Sequence, residues 1–516
     1  MPEPSPARAP GFSTAGEGRQ PKPPSMLDAI LPVVVLIGLI ALTIVLFGVD
    51  ATNGPLQVAL LISAAFASLI ALKNGHTVTA VADAAIGGVT TALGAIFILL
   101  AVGALIGTWN MAGTIPTIVY YGIGLLSPTW FFIASAAICA LVGMITGSSW
   151  TTAGTLGVAF VGMASVLGLS EAIAAGAVIC GAYFGDKMTP LSETTILVPR
   201  LVGGVTVGQH IRNMFWTAGP ALGISLGLFL LLGLRAEPSG AISTEAAQEV
   251  LGSEYTISVV NLLPLLLLVV FTLRKVPPFL AILGSALFAG ILAPFTQAAA
   301  VKAFVDDPDL GPVATGIEAV YSSMATGFVS VTGNERIDEL FSRGGMASML
   351  TTVWLVLGAL SFAAIMEHAG FLDRLLAPIV ARAKTRGRLI LAVNGSGIGL
   401  NVIAGDQYVA VVLPSRMFRQ EFARRGLAPQ VLSRAVEDSG TVTSVLVPWN
   451  TCGAYISGVL GVQTAAYLPF CFFNFLSPVL DVLFGFIGFK VPTIPPEERL
   501  TDVQERMEPE SGTRPG

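Results

Sequence analysis

Charge is what this sequence has least of. Of 516 residues only 11% are Asp, Glu, Lys or Arg, against 53% hydrophobic, and the mean hydropathy is +0.78. A soluble chain of this length cannot cover its surface with so few charges. Histidine occurs three times and cysteine four times. Cys139, Cys180, Cys452 and Cys471 are scattered in apolar runs without metal-ligand spacing, so they read as lone buried thiols. There is no HExxH and no Ser–His pairing in register, which leaves an intramembrane enzyme without a catalytic constellation. No cofactor and no nucleic-acid partner are expected. Residues 1–25 lack the apolar core of a signal peptide and read as a disordered cytoplasmic tail.

Long apolar runs are what the chain does have. Residues 27–48, 91–109, 214–234 and 255–273 each reach the roughly 20 residues needed to cross a bilayer. The fold class is therefore an all-α polytopic membrane protein in contact with lipid, with about 12 to 14 membrane segments. The acidic, polar stretch 235–254 separates two halves, giving a membrane repeat at 26–234, an extracytoplasmic linker, a second repeat at 255–490 and a cytoplasmic tail at 491–516.

The halves share a faint internal repeat. Displaced by 258 residues without a gap, 147–204 and 405–462 are identical at eight of 58 positions, among them Gly147/Gly405, Gly168/Gly426, Pro190/Pro448 and Gly203/Gly461. Lys73 follows the second span of the first half, whereas Arg274 and Lys275 follow the first span of the second. Arg374, Arg382, Lys384, Arg386 and Arg388 fill a connection whose first-half counterpart is uncharged. Opposite bias of basic residues is the mark of inverted-topology repeats, here with both termini cytoplasmic.

Each half is interrupted by a polar break at predicted membrane depth. The first break follows an apolar helix and contains Asp186, Lys187, Thr189, Pro190, Ser192, Glu193, Thr194 and Thr195. Pro190 denies the helix an amide, and hydrocarbon cannot satisfy the freed carbonyls, so protein or a water-filled cavity must surround them. Ser148 and Thr151 lie just upstream. The second region carries Asn394, Asn401, Asp406, Gln407, Glu437, Asp438, Thr441, Thr443, Asn450 and Thr451. Ionisable groups in a membrane core usually face a pathway or a partner, and carboxylates with hydroxyls suit a hard cation that a proton can replace. Duller readings stand beside these: Glu193 as a first-turn cap, Asp406 at the surface, Glu437 paired with Arg434. Asp438, in a run from Val431 to Val447 otherwise free of acids apart from its neighbour, is the hardest to explain away and is the leading candidate for proton coupling, with Asp186, Glu193, Asp406 and Glu437 behind it. Glu367 and His368 end a span and read as surface residues.

At GAYFGDKMTPLSETT (181–195) and at 405–455, which ends in VPWNTCGAY, the chain resembles the NhaC-type sodium/proton antiporters of the ion-transporter superfamily. Weaker agreement extends over 27–488. Members usually carry Asp where this chain has Glu193, and a smaller polar residue where it has Ile196. The resemblance implies inverted repeats, a homodimer in a bacterial-type cytoplasmic membrane, and exchange of internal sodium for external protons. Sodium would sit at the coupling carboxylates. Some relatives resemble organic-anion antiporters that exchange malate for lactate, so a small carboxylate held by Arg200, Arg416 or Lys187 is the alternative cargo.

Overall fold

The computed structural model describes residues 21–236, 244–333, 338, 339 and 341–495. Among these residues the chain is helical throughout, with one isolated antiparallel bridge between Leu427 and Thr493. Among the described residues seven helices are long and apolar enough to cross a membrane, or up to nine if two sharply bent pairs each count as one span. Shorter apolar helices lie at Val78–Thr91, Thr114–Leu125 and Thr451–Leu460, so the membrane segments include pieces below spanning length. The protein is a multi-pass membrane protein.

In the first half the helices are α1 (Met26–Phe47), α2 (Pro55–Lys73), α3 (Val78–Thr91), α4 (Leu93–Met111), α5 (Thr114–Leu125), α6 (Pro128–Thr146), α7 (Ser149–Thr152), α8 (Val158–Val166), α9 (Glu171–Lys187), α10 (Glu193–Val202) and α11 (Val207–Leu234). In the second they are α12 (Thr244–Glu254), α13 (Leu263–Leu273), α14 (Pro278–Thr296), α15 (Ala298–Val305), α16 (Pro312–Ala325), α17 (Leu350–His368), α18 (Phe371–Arg382), α19 (Arg386–Ile403), α20 (Gln407–Arg424), α21 (Pro429–Val436), α22 (Thr451–Leu460), α23 (Thr464–Tyr467) and α24 (Phe472–Ile487). The stretch 235–254 is more than a linker: α12 packs on α5, where Gln248 Nε2 donates to Tyr120 O at 3.1 Å. Both tails are anchored where they meet the membrane domain. Lys22 N donates to Asn74 O at 2.8 Å, and Ile494 N donates to Gly426 O at 2.9 Å. The rest of both tails lies outside the described residues.

The internal repeat survives at the backbone. Gly147 and Gly405 both have positive φ, +68° and +61°, as do Gly168 and Gly426 at +64° and +65° and Gly203 and Gly461 at +73° and +68°. Three of the eight sequence identities are therefore turns that an L side chain rarely adopts. The residue after the first glycine caps the next helix in both halves: Ser148 Oγ accepts from Thr151 N, and Asp406 Oδ1 accepts from Val409 N. Ser192 and Asn450 stand at the next pair of caps, those of α10 and α22. Each first glycine also abuts its own polar break, Gly147 against Leu191 and Gly405 against Trp449. A methyl added at Gly147 would lie 2.7 Å from Leu191 Cβ. Gly147→Ala is thus expected to cost at least about 1–2 kcal/mol from the left-handed backbone alone. Thermal unfolding in detergent measures this, and unchanged stability would contradict it.

Small residues set the close approach that holds the breaks in place. Gly181 and Gly185 of α9 lie against α6, where a Cβ at Gly185 would fall 2.7 Å from the Gly143 Cα. Without water between them, membrane helices associate by such backbone contact. Around this contact a large apolar cluster joins α4, α6, α8, α9 and α14, while α1, α2 and α17 share a second one. α1 keeps Leu27, Val34, Ile37 and Val45 exposed, which suits a face turned to lipid.

Candidate ion-coupling site

At the first break α9 stops at Lys187, residues 188–192 are irregular, and α10 restarts at Glu193. The hydroxyls replace the missing helix bonds. Ser192 and Thr194 Oγ atoms are 3.2 Å apart, Thr195 Oγ1 donates to Lys187 O at 3.3 Å, and Thr189 Oγ1 accepts from Leu191 N at 3.4 Å. The second break is longer. After α21 the chain makes a wider π-helical turn over Glu437–Thr441, a short 3-10 turn at Ser444–Leu446, and then Val447–Asn450 before α22. Both breaks are non-helical through their prolines, as the sequence predicts.

The π turn aims the two neighbouring acids at different partners. Asp438 forms a fully buried ion pair with Lys187 across the two breaks. Its Oδ1 also accepts from Ser477 Oγ at 2.6 Å, and its Oδ2 accepts from Thr217 Oγ1 at 2.8 Å. Glu437 Oε1 accepts from Thr194 Oγ1 of the first break at 2.8 Å. Its other oxygen, Oε2, has no hydrogen-bond partner among the described residues, and neither has Thr441 Oγ1 one turn away. Arg434 does not pair with Glu437. Its Nε donates to Asp481 at 2.7 Å, and Asn394 Nδ2 donates to the other oxygen of Asp481 at 2.8 Å.

A second polar group surrounds the start of α20 and α22. Asp406 caps α20, and Thr451 Oγ1 reaches it at 3.4 Å, so Asp406 is buried and not at the surface. Asn450 caps α22 and donates to Asn401 Oδ1 at 3.0 Å, while Asn401 Nδ2 donates to Thr443 Oγ1 at 3.0 Å and to Gly440 O at 2.8 Å. Ser444 Oγ donates to Gln407 Oε1 at 3.0 Å. The repeat places this contact opposite Ser149 and Asp186, where Ser149 N and Oγ donate to Asp186 Oδ2 at 3.1 and 2.8 Å. The same geometry thus holds an acid in one half and an amide in the other.

The structure brings Asp438 and Glu437 to opposite sides of one crossing, with Thr194 and Ser192 beside Glu437. It sets Glu193 apart: this residue is exposed and accepts from Tyr408 Oη at 2.5 Å. Ser148 and Thr151 make local cap contacts. Arg200 and Arg416 are exposed, as are Glu367 and His368. The sequence reading missed Thr217, Ser477, His210 and Asp481. Asp481 stands in the apolar stretch 472–487, so the signal that singled out Asp438 would have found it. Thr217 and Ser477 carry no such signal. Among the described residues no three His, Cys, Asp or Glu side chains converge as a transition-metal site requires. A hard monovalent cation would take hydroxyl and carbonyl oxygens instead.

The profile of the Na+/H+ antiporter family matches residues 181–489, which span both breaks. The chain is also similar to the Na(+)/H(+) antiporter NhaC of Alkalihalophilus pseudofirmus, at 39% identity over 437 residues, 85% of this chain and 90% of that one. The chain belongs to the Na+/H+ antiporter family. Other relatives in this family's reach carry other cargo names. The arginine/ornithine antiporter ArcD of Halobacterium salinarum is 36% identical over 92% of this chain and 95% of its own length. The malate-2H(+)/Na(+)-lactate antiporter of Bacillus subtilis is 31% identical over 90% of this chain and 95% of its own length.

Proposed function

We propose that this protein exchanges sodium ions for protons across the cytoplasmic membrane, and that Glu437 is the carboxylate on which the two compete. One observation carries the reading. Where the breaks cross, three fully buried carboxylates, Glu437, Asp438 and Asp481, face only two fully buried cations, Lys187 and Arg434. Asp438 and Asp481 take those cations, so Glu437 is left with an uncompensated charge. A lone charge in a low-dielectric interior costs several kcal/mol, and a bound proton or a small cation removes it equally well. Binding one expels the other, which is the coupling an exchanger needs. Asp438 takes the direct ion pair with Lys187, and Glu437 is left with Thr194 as its hydrogen-bond partner.

The organic-anion alternative has less support. It needs a buried cation free for a carboxylate, yet Lys187 and Arg434 are both paired and Arg200 and Arg416 are exposed. Basic residues at Lys73, 382–388 and 416–425 favour cytoplasmic termini, a multi-pass arrangement in the inner membrane, and inverted repeats.

Proteoliposomes loaded with a pH-sensitive dye test the reading. A sodium gradient is expected to drive proton flux, while potassium, arginine and malate gradients are not. Flux that answers only to malate, lactate or arginine would overturn it.

A further inference from the structure

His210 lies in the first turn of α11, wholly buried, although Thr206, Gly208 and Gln209 around it are exposed. Its Nδ1 is 2.9 Å from Ser433 Oγ. Ser433 Oγ also lies 3.1 Å from Gln430 O, and donation there lets it accept from His210. In that arrangement Nδ1 carries the ring proton and Nε2 keeps a lone pair. That lone pair faces Glu437 Oε2 at 3.9 Å. Both atoms are buried, and neither has a hydrogen-bond partner among the described residues.

Two acceptors facing each other in a dry interior cannot bond until a proton is placed between them. A proton on Oε2 turns Glu437 into a donor aimed at Nε2, and the pair can close to hydrogen-bond distance. The two cations around the pair, Lys187 from α9 and Arg434 from α21, are engaged by Asp438 and by Asp481 from α24.

We infer that Glu437 and His210 share the transported proton, held between Glu437 Oε2 and the Nε2 lone pair of His210. The inference rests on Glu437 being the exchanging acid. Closing the 3.9 Å gap to hydrogen-bond distance stabilises the protonated acid, and sodium displaces that proton and reopens the pair.

The test uses the full-length protein in proteoliposomes. His210→Gln keeps a donor for Ser433 but cannot carry a proton. It is expected to bind sodium as the wild type does, to exchange about tenfold or more slowly, and to lose the wild-type pH profile. Ser433→Ala removes the acceptor that fixes the tautomer and is expected to shift that profile with the fold intact. His210→Gln with the wild-type rate and profile overturns the shared proton. If His210→Gln does not fold, an unchanged profile in Ser433→Ala overturns it. An absence of sodium-driven flux in the wild type would refute the proposed function instead, so the two failures are distinguishable.

Discussion

Lys187→Met is expected to destabilise the protein by about 3–5 kcal/mol, because it leaves a fully buried carboxylate without its cation. Asp438 and Lys187 are each wholly out of solvent, and the ammonium bonds Ser477 Oγ at 3.1 Å as well as Asp438. Removing the lysine strands Asp438 with only the hydroxyls of Ser477 and Thr217. Asp438→Asn is expected to cost a similar amount by stranding the ammonium. The double variant Lys187→Met with Asp438→Leu removes both charges and should recover most of the loss, since replacing a whole buried pair by apolar groups is often neutral. Thermal unfolding in detergent reads all three. A double variant no more stable than either single one would show that the pair is not the cause.

Glu437→Gln is expected to fold normally and to reduce sodium-driven proton flux to the level of empty liposomes. The amide keeps the size of the side chain and an oxygen to accept from Thr194 Oγ1, so the bridge between the two breaks stays. It removes a fully buried charge that forms no ion pair with a lysine or arginine among the described residues, so stability should hold or rise. What it cannot do is exchange a proton for a cation. Glu437→Asp should retain part of the flux with an altered pH profile, because the shorter acid still titrates but sits further from Thr194. Wild-type flux in the Gln variant would move the coupling role to Asp438 or Asp186.

Much of the architecture was legible because it depends on local chemistry. Pro190 and Pro448 announced the breaks, and a run of identical glycines at one displacement announced the repeat, since positive φ admits few other residues. The candidate site was legible by composition and not by pairing. Asp438 stood out as an acid in apolar surroundings, but its cation lies 251 residues earlier in the chain, and no periodicity reports such a contact. Arg434 looked like the natural partner of Glu437 three residues on. The fold gives it to Asp481 from α24, and that exchange is what leaves Glu437 unpaired. His210 carried no signal in the sequence, because its burial depends on how α11 packs against α10 and α21.

Sodium-induced proton release tests the central claim most directly. Purified protein in weakly buffered detergent solution is mixed with sodium chloride while a dye follows pH. The wild type should acidify the solution saturably, with choline chloride giving no signal, and Glu437→Gln should release nothing although it is folded. Release of equal size from the Gln variant would contradict the assignment of the exchanging proton to Glu437.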